Sequence, residues 1–134
     1  MRIKNIFIQT IPHERHRYET VGDYFYTKDN FILGEEDMQV RVSDMGNEDY
    51  EFLVAIHELI EAYLCRKRGI REEDITAFDI AFEKLRLEGN EDEPGDSPDA
   101  PYQKEHQFAT KIERQLSDEL GVNWDAYDEK VLSL

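Results

Sequence analysis

The chain has 134 residues, of which 31 are acidic and 16 basic, and its formal net charge is −15. Such a charge repels nucleic-acid phosphates and anionic membrane surfaces. We therefore expect no direct nucleic-acid binding, no membrane association, and a substrate or partner that is a peptide or a basic protein. The apolar fraction of 40% suits one domain with its own core. A single cysteine, Cys65, cannot form an internal disulfide, which favours a cytoplasmic location.

The first 47 residues predict a small antiparallel sheet. Candidate strands lie at residues 2–11, 18–28, 31–33 and 38–42. The last of these alternates apolar Met38, Val40 and Val42 with polar side chains, which is typical of a strand with one buried face. The first ends at a proline, and the second is rich in aromatic and β-branched residues.

From residue 48 onward the spacing of apolar residues becomes helical. Helices are predicted over residues 48–68, 71–87, 102–120 and 123–134, and an acidic loop at 88–101 holds three of the four prolines. Asn47 can cap the first helix, and Gly69 and Gly121 are suited to end the first and third. The prediction is a single α+β domain over residues 1–134, mostly β up to residue 47 and mostly α from residue 48.

The first predicted helix contains the sequence His57-Glu58-Leu59-Ile60-Glu61 within an almost entirely apolar stretch. At about 100° per residue, His57 and Glu61 lie roughly 40° apart on one face of the helix. An imidazole and a carboxylate in this arrangement can bind one divalent cation, and Glu58 on the flank can act as a catalytic base. A solvent-exposed polar stripe is the alternative, but three ionisable side chains on an apolar helix are costly to bury without a partner.

A catalytic metal site needs a third protein ligand, and the third predicted helix offers two. His106 lies at the edge of the apolar face of that helix, and Glu105 lies near its centre. We favour His106 because two imidazoles and one carboxylate are a common ligand set for a catalytic zinc ion with one open position. Glu105 is the alternative third ligand. The sequence thus predicts Zn²⁺, or another divalent metal, bound by His57, Glu61 and His106.

Residues 54–62, Val-Ala-Ile-His-Glu-Leu-Ile-Glu-Ala, resemble the active-site helix of the zincin metallopeptidases, in an HExxE variant of the H-E-x-x-H motif. In that clan two histidines of the motif bind zinc and the glutamate between them is the general base; in gluzincins a downstream helix adds a glutamate ligand. The resemblance implies that His57 is a ligand and Glu58 the base. By analogy, Glu61 replaces the second histidine and His106 restores an imidazole. The implied activity is metal-dependent hydrolysis of a peptide or another amide. The stretch also resembles small bacterial and phage proteins.

Two further interpretations stay open at this point. The metal is structural rather than catalytic if no coordination position is left open for substrate. Alternatively, the chain is a non-enzymatic acidic interaction protein that presents the carboxylates of residues 88–99 to a basic partner.

A second pair of histidines, His13 and His16, follows the first predicted strand. The pair can be viewed as a further metal site, but Arg15 and Arg17 in the same segment favour a basic surface patch. Cys65, eight residues after His57, is expected to be a core thiol rather than a ligand or nucleophile.

Overall fold

The computed structural model describes residues 2–28, 34–86 and 89–134, and within these ranges it has three strands and four α-helices. They are β1 (Arg2–Ile11), β2 (Gly22–Lys28), β3 (Glu35–Ser43), α1 (Glu48–Lys67), α2 (Glu72–Lys84), α3 (Gln103–Leu120) and α4 (Trp124–Leu132). The predicted α+β order, a sheet followed by three main helices and a short C-terminal helix, is confirmed. The strand expected at 31–33 lies outside the described residues. None of the described helices combines the length and the apolar composition needed to cross a membrane.

The sheet is mixed, so the expected antiparallel arrangement holds for β2 and β3 but not for β1. The strand order is β1-β3-β2, with β3 in the centre. β2 pairs antiparallel with β3, whereas β1 pairs parallel with it. The prediction was wrong for β1 because β2 forms at the far edge of the sheet and β3, which follows β2 in the chain, then fills the place between β1 and β2. β1 and β3 consequently run in the same direction.

The core lies between one face of the sheet and α1. Met38, Val40 and Val42 of β3 are almost fully buried and share one cluster with Leu53 of α1, as the alternation in β3 predicted. The helix begins at Asn47, whose side chain accepts a hydrogen bond of 3.1 Å from the Tyr50 amide. This packing orients α1 along the sheet and leaves another of its faces for α3.

The helix α3 packs alongside α1, and the interface between them is unusually polar. The residues of α3 that are buried are Glu105, His106, Ala109, Glu113 and Ser117. Ionisable groups rarely enter a protein interior unless they are paired or bind a metal. The contact between α1 and α3 is therefore the place to look for a functional site.

Candidate metal centre

Three ionisable side chains meet between α1 and α3. His57 Nε2 lies 3.0 Å from Glu61 Oε2 and 3.1 Å from His106 Nδ1, and His106 Nδ1 lies 3.0 Å from the same Glu61 oxygen. All three residues are buried, with exposed fractions of 4–6%. The second oxygen of Glu61 is 3.4 Å from the Tyr24 hydroxyl. The structure thus brings together the residues that the sequence predicts as ligands, although they come from two helices.

The orientation of His57 is set by a carboxylate behind the ring. Its Nδ1 lies 2.7 Å from Glu113 Oε1, and the other oxygen of Glu113 accepts a hydrogen bond of 2.6 Å from the Tyr127 hydroxyl. An ionised carboxylate accepts hydrogen bonds but cannot donate them, so Nδ1 carries the ring proton. When the His57 ring is neutral, the lone pair of Nε2 points toward Glu61, the orientation that metal-binding histidines use.

The far nitrogen of His106 also faces carboxylates. Its Nε2 lies 2.9 Å from Glu93 Oε2 and 3.3 Å from Asp96 Oδ1, although neither contact has hydrogen-bond geometry. These negative charges favour the ring proton at Nε2 and leave a lone pair on Nδ1. The turn that carries the carboxylates approaches the ring so closely that a Cβ atom at Gly95 would lie 2.3 Å from His106 Cγ. Only glycine fits there.

The three facing atoms fit a divalent metal. With both rings in these tautomers, two nitrogen lone pairs and one carboxylate oxygen form a triangle with sides of 3.0–3.1 Å and no proton between them. Such a triangle is repulsive unless a cation or an added proton occupies its centre. Tetrahedral zinc ligands at about 2.0–2.1 Å from the ion lie roughly 3.3 Å apart, close to this spacing. The donor set, two imidazoles and a carboxylate, is one that zinc prefers.

Without a metal, protons offset the same repulsion. Burial alone lowers the pKa of a histidine, but the carboxylates of Glu113 and Glu61 raise the pKa of His57 well above its usual value. Burial likewise opposes protonation of His106, yet the surrounding carboxylates raise its pKa to about 12. Burial raises the pKa of a carboxyl, but the hydrogen bonds from the two imidazoles lower that of Glu61 to about 2. The surroundings of the triangle therefore attract positive charge, and a proton or a divalent ion can supply it.

Glu58, the expected base, lines the cleft next to the triangle. It packs against β2, where a Cβ atom at Gly22 would lie 2.7 Å from Glu58 Cγ. Burial, followed by the negative charge of Glu61, raises the pKa of Glu58 well above its usual value, and the charge on His57 only partly offsets this. A carboxylate with a raised pKa is suited to accept a proton and release it within one reaction.

The cleft beside the triangle has a volume of about 410 Å³ and is strongly acidic. Among the described residues, Arg86 is the one arginine on its wall, no lysine lines it, and Arg86 is already paired with Glu83 at 2.8 Å. Several carboxylates on the rim make no ion pair with a described lysine or arginine: Glu91, Asp92 and Asp128. Burial, and then the charges of Glu93 and Glu91, raise the pKa of Asp128. The cleft therefore favours positively charged ligands.

Glu105, the alternative third ligand, lies elsewhere in the interface. Its carboxylate is buried and accepts a hydrogen bond of 2.6 Å from Arg68 at the end of α1. Among the described residues it does not belong to a group of side chains close enough to share one metal ion. Glu105 therefore points inward, as the helical period predicts, but its partner is Arg68 and not the two histidines.

Sequence reasoning missed the carboxylates that hold the rings. Glu113 follows His106 by seven residues, which places both on one face of α3 two turns apart. That spacing was a usable signal. Glu93 and Asp96 lie in the predicted acidic loop, and no local pattern shows which loop residues fold back onto a helix. Asp79, which accepts hydrogen bonds from the hydroxyls of Tyr18 and Tyr102 in the same cleft, was also missed.

No protein-family model, curated protein or solved structure matches this chain. The similarity of residues 54–62 to the zincin helix therefore stays a prediction from the motif. What supports a function is the geometry and chemistry of the side chains between α1 and α3.

Proposed function

We propose that the chain binds one zinc ion, or another divalent metal, through His57, Glu61 and His106 and hydrolyses a peptide or another amide bond. The observation that carries the proposal is the buried triangle of donor atoms, 3.0–3.1 Å apart, with the lone pair of His57 directed by Glu113. A bound zinc ion supplies a Lewis acid that polarises a carbonyl group and lowers the pKa of water.

The remaining roles fall to the protein's own groups. Glu58 takes a proton from the attacking water and transfers it to the departing amine, which its raised pKa favours. Glu113 acts as a positioning residue because it holds the ring of His57, and Tyr127 holds Glu113 in turn. The adjoining cleft supports a catalytic rather than a purely structural metal, since it offers space for a substrate next to the ligands.

The charge of the cleft supports a basic substrate. Unpaired carboxylates at its rim attract lysine or arginine side chains and repel acidic peptides. We therefore propose peptides with basic side chains as the substrate class. The buried, unpaired thiol of Cys65 agrees with a reducing compartment such as the cytoplasm.

The metal is tested by elemental analysis of purified protein after loading with zinc and removal of excess ion. The wild type and Glu58→Gln should retain one equivalent, whereas His57→Ala and His106→Ala should lose it. His13→Ala is the matched control, because His13 is a part-buried histidine that pairs with Ser43 and Glu19 outside the triangle. Equal zinc content in all five proteins would refute the metal site.

Hydrolysis is tested with zinc-loaded protein on matched peptides that differ only in carrying lysine or glutamate. We expect cleavage of the lysine peptides and loss of activity in Glu58→Gln with zinc content unchanged. Stoichiometric zinc without cleavage of any peptide would reject the hydrolase and leave a structural metal. Preferential cleavage of the glutamate peptides would reject the substrate class alone.

A non-enzymatic role as an acidic interaction protein is the second candidate, and the unpaired rim carboxylates favour it. In that case a cationic partner such as polylysine binds with affinity that falls steeply as salt increases. Polylysine binding is therefore measured in the absence of zinc. Binding that is equally strong in Glu58→Gln and His57→Ala would favour this role over the hydrolase.

A further inference from the structure

His106 has a second ring nitrogen that the triangle does not use. Its Nδ1 belongs to the triangle, whereas its Nε2 faces the carboxylates that border the turn Pro94–Asp96. The side chain of His106 is 7% exposed, and Nε2 is buried without a hydrogen bond to any described residue. A buried polar atom that lacks a partner is costly. The Nε2 side of the ring is therefore a candidate site for a ligand.

Two carboxylates lie next to this nitrogen without accepting a hydrogen bond from it. Glu93 Oε2 is 2.9 Å and Asp96 Oδ1 is 3.3 Å from Nε2, but both oxygens lie away from the direction of an N–H bond. A hydrogen bond needs its acceptor near that direction, whereas the ligands of a metal ion are spread around the ion. Two ligand atoms about 2.0–2.1 Å from one ion lie roughly 2.9–3.4 Å apart, which matches both contacts. The three atoms lie within 4.8 Å of one another, so a single cation can contact all of them.

The turn fixes both carboxylates next to the ring. The amide of Asp96 donates a hydrogen bond of 3.1 Å to the carbonyl of Glu93, and Gln103 of α3 donates one of 3.1 Å to the carbonyl of Asp96. Gly95, between the two acidic residues, permits the close approach to His106. Neither carboxylate forms an ion pair with a described lysine or arginine. Two negative charges thus converge on one nitrogen, and no described lysine or arginine offsets them.

We propose that Glu93, Asp96 and Nε2 of His106 bind a second divalent cation, and that the imidazole bridges it to the ion in the triangle. When this cation binds, the Nε2–H bond breaks, the proton passes to solvent, and the lone pair of Nε2 binds the cation. An imidazole and carboxylates together suit a divalent transition metal such as Zn²⁺ or Co²⁺. The bound cation offsets the two acidic side chains and links the turn to α3.

The second site is separate from the proposed hydrolysis. Each ion lies about 2.0–2.1 Å from its own ring nitrogen, so the two ions are roughly 6 Å apart, farther than the roughly 3.5–4 Å of catalytic metal pairs. The side chains of Glu93 and Asp96 are 48% and 52% exposed, whereas the ligands of the triangle are buried. The second cation should therefore exchange with solvent and leave when excess metal is removed, while the zinc ion in the triangle is retained.

The test adds Co²⁺ to protein that has been loaded with zinc and freed of excess ion. Elemental analysis after equilibrium dialysis counts the two metals separately, and the zinc count verifies that cobalt has not entered the triangle. Wild type should bind one equivalent of cobalt. The double variant Glu93→Gln/Asp96→Asn should bind cobalt at least about 100-fold more weakly, because loss of even an outer partner of a metal ligand costs about 10- to 100-fold.

The matched control is the double variant Glu91→Gln/Asp92→Asn. It removes the same two charges from the same loop, but neither residue belongs to the group around His106, so cobalt affinity should be unchanged. Circular dichroism verifies that both double variants fold. Wild type that binds no cobalt would overturn the proposal, and so would equal cobalt affinity in the two double variants.

Two further measurements separate this site from the triangle. His57→Ala should lose the zinc equivalent and keep one equivalent of cobalt, because Nδ1 of His106 can then donate to Glu61 at 3.0 Å and leave the lone pair on Nε2. A missing zinc site therefore does not remove the cobalt result. Calorimetric titration of zinc-loaded wild type in buffers of different ionisation enthalpy should show one proton released per cobalt ion. Cobalt binding without proton release would mean that ionised carboxylates bind it alone, and would overturn the imidazole bridge.

Discussion

The protein contains two pairs of neighbouring histidines, and their surroundings differ sharply. The rings of His57 and His106 have centroids 4.7 Å apart between two helices, and those of His13 and His16 are 6.0 Å apart beside the sheet. Carboxylates surround the first pair. The second pair shares one hydroxyl, that of Ser43, at 2.8 and 2.9 Å, and its one carboxylate contact is from His13 to the exposed Glu19 at 2.9 Å.

The difference is visible in the pKa values. Burial lowers the pKa of His16, since nearby carboxylates do not outweigh it. Burial acts in the same direction on His57, but its carboxylate partners prevail and raise the pKa. A hydroxyl can donate to one ring and accept from the other, so the His13 pair needs no added charge, whereas the triangle of His57, Glu61 and His106 needs a proton or a divalent ion to offset its repulsion. Proximity of two histidines is therefore a poor sign of a metal site without the carboxylates around them.

The largest expected effect separates the two pairs directly. His57→Ala removes one of three ligands and should abolish stoichiometric zinc binding, while His16→Ala should leave the zinc affinity unchanged. Competition with a chromophoric zinc chelator measures both. If the two variants lose zinc to the same extent, the proposal that the His57 pair binds zinc and the His16 pair does not is wrong.

A second variant tests whether the carboxylate behind the ring matters. Glu113→Gln keeps the shape of the side chain but removes the charge that fixes the Nδ1 proton of His57. Loss of such a partner typically weakens metal affinity about 10- to 100-fold, and we expect an effect of that size. Glu105→Gln is the control, because Glu105 is a buried glutamate of the same helix that pairs with Arg68. Equal affinities in both variants would contradict the positioning role of Glu113.

The third prediction concerns pH. Raised histidine pKa values stabilise the metal-free fold fully below the unfolded value of about 6.5, and this contribution is lost as pH rises through the folded values. Glu61 acts oppositely at low pH, since its stabilisation is lost as pH falls toward about 2. The metal-free protein should therefore lose stability above neutral pH.

Zinc must displace the histidine protons, so its affinity should increase up to roughly tenfold per pH unit for each proton released. Thermal unfolding with and without zinc between pH 6 and 9 measures both trends, and the shift in Tm on adding zinc should grow with pH. A shift that is constant over this range would show that protonated histidines are not being displaced.

The smallest expected effect lies one step further from the ligands. Tyr127→Phe removes the hydroxyl that donates to Glu113 at 2.6 Å, while Glu113 keeps its contact with His57. Zinc affinity should fall by less than in Glu113→Gln, and the chelator competition assay resolves the two. A larger loss in Tyr127→Phe than in Glu113→Gln would reverse the proposed order of contacts.

Local patterns in the sequence were sufficient for much of the fold. The alternation of Met38, Val40 and Val42 predicted β3, and Asn47 predicted the start of α1, because both depend on contacts within a few residues. Gly121, with a φ of 69°, ends α3 as expected. The helix predicted over 71–87 is shorter in the structure, where α2 spans Glu72–Lys84. The next residue, Leu85, is 81% exposed, so its side chain makes no core contact that would extend the helix.

For the site, the sequence by itself determined that His57, Glu58 and Glu61 share one helix, because the helical period sets which side chains lie together. Only the tertiary structure decided that His106, and not Glu105, approaches them, since adjacent residues of α3 point about 100° apart and the packing of α3 on α1 selects between them. It also decided that Glu113 and Glu93 lie behind the two rings, and that β1 runs parallel to β3. These contacts join residues far apart in the chain, and no local preference of the backbone encodes them.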